Sequence, residues 1–264
     1  MELIRVVAHG ASGKLGQEVV KAIIAEPETK LVGAVDIKAS SDYLPLLDSS
    51  EEIPFSADLS SILDKCQPEV LVDSTVAKAT MPAARLATEK GINLVIATTG
   101  LSDDDHTELE RLAAANKVGI VMAPNFALGA VLMTHLARIA AKYMDYAEII
   151  ELHHHLKADA PSGTARLTAR TMAEARGKPF SRPPEGEQIS ESRGENVEGI
   201  SVHAVRLPGL MAHQEVILGA PGQTLIIRHD TINRECYTPG IILAVKEVVK
   251  RPGFTYGLDA LLNL

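Results

Sequence analysis

Tryptophan is absent from this 264-residue sequence, and the few phenylalanines and tyrosines bring the aromatic share to only 3%. Binding single-stranded nucleic acid relies on aromatic platforms for stacking, which so few aromatics are not expected to build. Positive charge is also in short supply: 26 Lys and Arg stand against 34 Asp and Glu, a formal charge of −8. That balance opposes general attraction to a phosphate backbone, so no nucleic-acid partner is expected. Cysteine is limited to Cys66 and Cys236, far apart and without a CxxC pair. Neither a disulfide framework nor a metal site is implied, and a reducing cytoplasmic location is expected. No apolar run approaches the roughly 20 residues that span a bilayer. The opening Met1-Glu2-Leu3-Ile4-Arg5 leads straight into a strand-like segment, without the basic-then-apolar order of a secretory leader. No membrane partner is expected.

What is present is an ordinary globular composition, 46% apolar and 23% charged, in a chain long enough for one large domain or two modest ones. The first half alternates strand-like runs at Leu3–Ala8, Lys30–Asp36, Val70–Asp73, Asn93–Ala97 and Val118–Ala123 with helical patterns. Those patterns lie at Lys14–Glu26, Pro82–Lys90 and Asp104–Asn116, and a Ser- and Asp-rich stretch follows the second strand. Such alternation predicts a Rossmann-type, doubly wound parallel sheet with helices on both faces. After Pro124 the character changes. A long apolar helix (Ala127–Met144) leads to a strand (Glu148–His155), a helix after Pro161, and a polar surface loop over 178–198. Strands follow at Ile200–Leu207, His213–Leu218 and Thr224–His229, then a helix at Pro239–Lys250. This half predicts a second, α+β domain with a mostly antiparallel sheet.

Between the first strand and helix lies Gly10-Ala11-Ser12-Gly13-Lys14-Leu15-Gly16, three glycines at GxxGxxG spacing. A tight turn there brings backbone N–H groups close to a pyrophosphate, and the helix N-terminus adds a positive dipole end. Asp36 closes the second strand twenty residues after Gly16, where a carboxylate accepts from an adenosine ribose. Dinucleotide binding is therefore expected. Asp36 favours NADH, whereas Lys14 and Lys38 offer cations for the extra phosphate of NADPH, so either cofactor fits.

The richest chemistry lies in Glu148-Ile149-Ile150-Glu151-Leu152-His153-His154-His155-Leu156-Lys157-Ala158-Asp159-Ala160-Pro161-Ser162-Gly163-Thr164-Ala165. Histidine titrates nearest neutrality and suits proton transfer. Lys157 is a cation able to hold a carboxylate or assist protonation. Ser162, Gly163 and Thr164 follow Pro161 at a predicted helix start, where hydroxyls and free N–H groups bind a carboxylate or cap the helix. On a strand through 155, His153 and His155 would face one way and His154 the other. A metal is not expected, because no further ligand stands at a recognisable spacing. A nucleophilic serine is not expected either, for want of a GxSxG elbow.

The run from Glu151 to Ala165 resembles the signature E-x-H-H-x-x-K-x-D-A-P-S-G-T-A of the 4-hydroxy-tetrahydrodipicolinate reductase (dihydrodipicolinate reductase) family. The likeness extends to the glycine turn, to Ala97-Thr98-Thr99-Gly100 (like G-T-T-G), to Pro124-Asn125-Phe126-Ala127 (like P-N-F-S), and to Asn233-Arg234 followed by Gly240. It continues through the tail from Gly257 to Leu264. The resemblance implies that His153 is the general acid and Lys157 the cation completing protonation. His154, Ser162, Gly163 and Thr164 would hold the carboxylates of a small cyclic dicarboxylate. Gly10, Ala11, Ser12, Gly13, Lys14, Leu15, Gly16 and Asp36 would hold the adenosine half of NADH or NADPH. Ala97, Thr98, Thr99, Gly100, Ala123, Pro124, Asn125 and Phe126 would line the nicotinamide end, and Arg234 would lie at the cofactor or an interface. It also implies a dinucleotide-binding domain of 1–124 and 235–264, a substrate-binding and oligomerisation domain of 125–234, a homotetramer, and a role in lysine and diaminopimelate synthesis.

The sequence departs from the family pattern on the cofactor side. Lys14 replaces an arginine, Asp73-Ser74-Thr75 stands for D-F-T, Ala97 for a glycine and Ala127 for a serine, and His9 for a small apolar residue. Two rival readings remain open from the residues: another two-domain amino-acid or aldehyde dehydrogenase, or a nicotinamide-binding sensor without catalysis.

Overall fold

The computed structural model describes residues 2–45, 52–182 and 191–264. The chain divides into two compact units, Met1–Leu128 with Arg234–Leu264, and Gly129–Asn233.

In the first unit the chain runs β1 (Ile4–His9), α1 (Gly16–Ala25), β2 (Thr29–Val35), β3 (Phe55–Ser56), α2 (Leu59–Cys66), β4 (Val70–Asp73), α3 (Ala77–Glu89), β5 (Asn93–Ile96), α4 (Asp103–Asn116) and β6 (Gly119–Met122). Every residue of β4 and β6 is buried, as are three of the four in β5. Continuous Val, Leu and Ile runs of this kind suit strands covered on both faces. Helices cover them with one apolar stripe each; α1, for example, buries Val19, Val20 and Ile23. Among the described residues seven strands pair in parallel, in the order β12-β6-β5-β4-β1-β2-β3, where β12 is Gly253–Tyr256. The winding reverses between β1 and β4. In open sheets of this kind ligands settle at the carboxyl ends of the strands beside such a reversal.

The second unit carries α5 (Leu128–Ala140), which begins at its border, then β7 (Tyr146–His153), α6 (Gly163–Arg176), β8 (Glu195–Val197), β9 (Ile200–Arg206), β10 (Ala212–Ala220) and β11 (Gln223–Thr231). Its sheet, in the order β11-β10-β7-β9-β8, is antiparallel at every pairing except β7 with β9. Met133, Ala137, Ile149, Ala169, Met172, Val216 and Leu218 belong to the buried core between its sheet and helices. The chain then returns to the first unit through α7 (Thr238–Val248), β12 and α8 (Asp259–Leu262).

Several elements differ from the sequence expectation. The helix expected from Pro82 starts at Ala77, and Pro82 lies inside α3; proline is commonest at a first helical position, yet here Ala77–Met81 precede it in the same helix. The Ser- and Asp-rich stretch, of which 46–51 lie outside the described residues, is followed by α2. Asp58 caps that short helix by accepting from Ser61 N at 3.3 Å, and Ile62, Leu63 and Cys66 are buried beneath its polar face. Of the loop expected over 178–198, residues 183–190 lie outside the described set, while Glu195–Val197 form an edge strand paired with β9. The residues that follow the helix expected at Pro239–Lys250 supply β12, parallel to β6. β7 stops at His153, so His154 and His155 follow the strand and are exposed, and the alternation argument applied to them does not hold.

Candidate active site

The glycine turn follows β1 at the reversal of the first sheet. Gly10 adopts φ +84°, and a Cβ there would meet Ser74 O at 2.9 Å. A Cβ on Gly16 would lie 1.9 Å from Gly10 O, so any larger residue would displace the turn. Gly13 N donates to Gly10 O at 3.0 Å, closing it. Ala11 is buried, Lys14 is exposed, and no side chain caps the start of α1 beyond Leu15. Asp36 is buried and pins the turn from the end of β2. Its Oδ2 accepts from Ser12 N and its Oδ1 from Lys38 N, each at 2.9 Å. A cradle that a Cβ would fill, with an uncapped helix start and a carboxylate beside it, fits the pyrophosphate and ribose of a dinucleotide.

The remaining residues expected at the cofactor also follow carboxyl ends of strands in this sheet: Ala97-Thr98-Thr99-Gly100 after β5, and Ala123-Pro124-Asn125-Phe126 after β6. Ala123 and Phe126 are buried, whereas Pro124, Thr99 and Gly100 are exposed. Asn125 Oδ1 accepts from Ala127 N at 2.8 Å and so shapes the entry to α5. Thr98 is buried, and its hydroxyl donates inward to Asp73 Oδ2 at 2.7 Å. Asp73, fully buried at the end of β4, also accepts from Thr80 at 2.6 Å and Thr75 at 2.8 Å, and its Oδ1 lies 2.9 Å from His9 Nδ1. Burial works to raise the Asp73 pKa, but the His9 imidazole and the hydroxyls of Thr80 and Thr98 outweigh it and hold it below the usual carboxylate range. His9 and Asp73, read in the sequence only as departures or neighbours, thus tie β1, β4 and the loop after β5 together.

The second unit gathers its chemistry where β7 and β9 end side by side, with His153 opposite Arg206 in register. Glu151 is fully buried at a core-facing position of β7. Its Oε2 lies 2.5 Å from His153 Nδ1 and accepts from Arg206 Nη1 at 2.7 Å. Its Oε1 accepts from Arg206 Nη2 at 2.7 Å and from Ser162 N at 3.0 Å. Burial pushes this carboxyl's pKa up, yet the bonds from His153 and Arg206 overcome it and lower it to about 2. Ser162 caps α6, its hydroxyl accepting from Ala165 N at 3.2 Å. Gly163 and Thr164 form the first turn of that helix, Gly163 exposed and Thr164 half-buried. Lys157 is half-buried, with Nζ 2.7 Å from Asp159 Oδ1. His153 and Ser162 bond to one carboxylate directly, and Arg206 ties the loop bearing Lys157 to it by donating to the Lys157 and Asp159 carbonyls, while His154 is exposed. Among the described residues no group of three or more His, Cys, Asp or Glu is placed to hold a metal ion.

Two members of this cluster were missed as functional residues in the sequence. Glu151 carried a signal: a charge on the core-facing period of a strand needs a buried partner. Arg206 carried none, since its partner lies 55 residues away and only the parallel pairing of β7 with β9 brings them together.

Comparison with known proteins is consistent along the chain. Residues 4–126 match the family described as dihydrodipicolinate reductase, N-terminus, and residues 129–262 its C-terminus. A 4-hydroxy-tetrahydrodipicolinate reductase of Dehalococcoides mccartyi (strain CBDB1) is 57% identical over 264 residues, covering 100% of both chains. One from Moorella thermoacetica is 46% identical over 262 residues, 98% of each chain. The solved structure of a dipicolinate-bound dihydrodipicolinate reductase from Paenisporosarcina sp. TG-14 superposes with a TM-score of 0.87 at 38% identity, covering 98% of this chain and 99% of that one. With both halves matched and relatives aligned end to end, the chain belongs to the dihydrodipicolinate reductase family.

Proposed function

We propose that this chain catalyses the NAD(P)H-dependent reduction of 4-hydroxy-tetrahydrodipicolinate to tetrahydrodipicolinate, a step in lysine and diaminopimelate synthesis. The observation that carries the reading is the cluster on Glu151, which joins a histidine, a helix N-terminus and, through Arg206, a lysine-bearing loop at one strand end. Bound nicotinamide supplies hydride to the substrate, and the net change removes the ring hydroxyl as water and takes up one proton. His153 delivers that proton, and Lys157 stabilises charge that develops beside it. The first turn of α6, at Gly163 and Thr164, binds one substrate carboxylate through backbone N–H groups and the Thr164 hydroxyl. Ser162 contributes by capping that helix, and exposed His154 meets the other carboxylate.

In this reading residues 1–124 and 235–264 bind the dinucleotide, and 125–234 bind substrate and mediate assembly. Gly10–Gly16 and Asp36 hold the adenosine half, and the residues after β5 and β6 hold the nicotinamide half. The cofactor is NADH or NADPH: the Asp36 carboxylate favours the former, and exposed Lys14 and Lys38 serve a 2′-phosphate. Paired kinetics with the two cofactors decides between them. A homotetramer is supported by β11, an edge strand exposing Leu225 and Ile226, and a clean monomer in sedimentation would reject it. No helix among the described residues is long and apolar enough to cross a membrane; the proposed location is the cytoplasm.

The decisive assay follows nicotinamide absorbance with enzymatically generated substrate. His153→Ala and Lys157→Ala should each lower turnover by about 10²–10⁴-fold with cofactor binding near the parent's. Parent turnover in either variant removes that residue from the scheme, and no turnover in the parent chain favours a sensor instead.

A further inference from the structure

We propose that Glu151 and Arg206 are positioning residues for proton delivery: the Arg206 fork fixes Glu151, and Glu151 fixes the His153 ring with a proton on Nδ1, leaving Nε2 to exchange with substrate. The proposal rests on the reading of His153 as the proton donor. It is carried by the completeness of the cluster. A carboxylate has about four lone-pair directions, and Glu151 fills four, from Arg206 Nη1 and Nη2, Ser162 N and His153 Nδ1. All four donors belong to residues at a strand end or a helix cap, so the carboxylate cannot turn without giving up charge-assisted bonds around a buried group. An ionised carboxylate only accepts. The proton between it and His153 therefore sits on Nδ1, and the ring orientation and tautomer are set together. Among the described residues no hydrogen bond holds the other ring nitrogen, and the side chain is 15% exposed.

Arg206 does a second thing. Its Nη2 donates to Asp159 O at 2.6 Å and its Nε to Lys157 O at 3.3 Å. One guanidinium thus holds the carboxylate behind His153 and the backbone that carries Lys157, so the two groups keep a fixed spacing. Lysine could keep the charge at 206 but could not make this set of planar bonds.

The test uses the full chain with ¹⁵N-labelled histidine, the His153 signal being assigned by its loss in His153→Gln. The parent should show His153 protonated on Nδ1, as the neutral Nδ1–H tautomer when Nε2 is unprotonated and as the imidazolium when it carries the proton to be delivered; a neutral ring protonated on Nε2 alone overturns the proposal without any further variant. Glu151→Gln and Arg206→Lys should each shift that tautomer signal. Each should lower kcat by about 10–100-fold, the usual range for losing a partner that orients a reacting side chain, with cofactor KM within about twofold of the parent's. Placed in the His153→Gln background, either substitution should add less than about threefold. A tautomer unchanged in both variants, or losses that multiply fully in that background, assigns the pair a purely structural role and overturns the proposal. If either variant fails to fold, the parent spectrum and the other variant still decide. Failure of the underlying reading looks different: His153→Gln itself would keep parent turnover.

Discussion

Replacing Glu151 by glutamine keeps the side chain's shape and removes its charge, which makes it a direct probe of how that buried carboxylate links stability to pH. Its folded pKa is lowered to about 2 from an ordinary 4.5. At 1.36 kcal/mol per pH unit, the difference of about 2.5 units corresponds to about 3.4 kcal/mol of stability. Because the folded value is the lower one, this contribution is fully present above pH 4.5 and is lost as pH falls towards 2. At pH 3 about 1.4 kcal/mol of it remains, so about 2 kcal/mol disappears between pH 6 and pH 3. Glutamine has no such titration. At neutral pH the variant should be less stable by about 3 kcal/mol, the loss of the buried carboxylate's charge-assisted bonds from His153 and half-buried Arg206. That gap should narrow by about 2 kcal/mol as the solution is taken to pH 3. Urea unfolding of both proteins, at one protein concentration and at half-unit pH steps, measures this directly. Parallel stability curves for parent and variant across this range would refute the assignment of a depressed, ion-paired carboxylate to Glu151.

Other perturbations test the first unit. Gly16→Ala puts a methyl 1.9 Å from Gly10 O, so it should cost about 2 kcal/mol in stability and weaken nicotinamide-nucleotide binding; calorimetric titration giving the parent's affinity would count against the turn as the phosphate site. Asp36→Ala removes the bonds to Ser12 N and Lys38 N together with the carboxylate. Affinity for both cofactors should fall, that for NADH more, and an unchanged ratio of NADH to NADPH KM would show that Asp36 does not discriminate. Asp73→Asn leaves the hydroxyls of Thr75, Thr80 and Thr98 competing for one acceptor oxygen. It should lower stability by about 3 kcal/mol and flatten the stability–pH curve below pH 3.8, where the parent progressively loses the benefit of a depressed carboxyl; thermal unfolding at pH 7 and at about pH 3 checks both.

How much could be read before the structure differs by element. The glycine turn was legible because its requirement is local: Gly10 needs positive φ and Gly16 leaves no room for a Cβ against Gly10 O, and both conditions fall within seven residues. The strands β4, β5 and β6 were legible from unbroken apolar runs. The helix α2 was hidden because its buried stripe of Ile62, Leu63 and Cys66 is short and framed by serines and aspartates. The boundary of β7 was misread because a run of three histidines continues the polar pattern past the point where pairing with β10 and β9 ends.

The sequence alone determined the main strand–helix alternation of the first half, the glycine turn after β1, and the residue types around His153 and Lys157, since each depends on neighbours a few positions apart. Tertiary structure decided which charges are paired. That Arg206 grips Glu151, and that His9 and Thr98 meet at Asp73, depends on strands brought side by side from distant parts of the chain. Buried charges must find partners, but pairing is a condition on space, and many sequence separations satisfy it equally well.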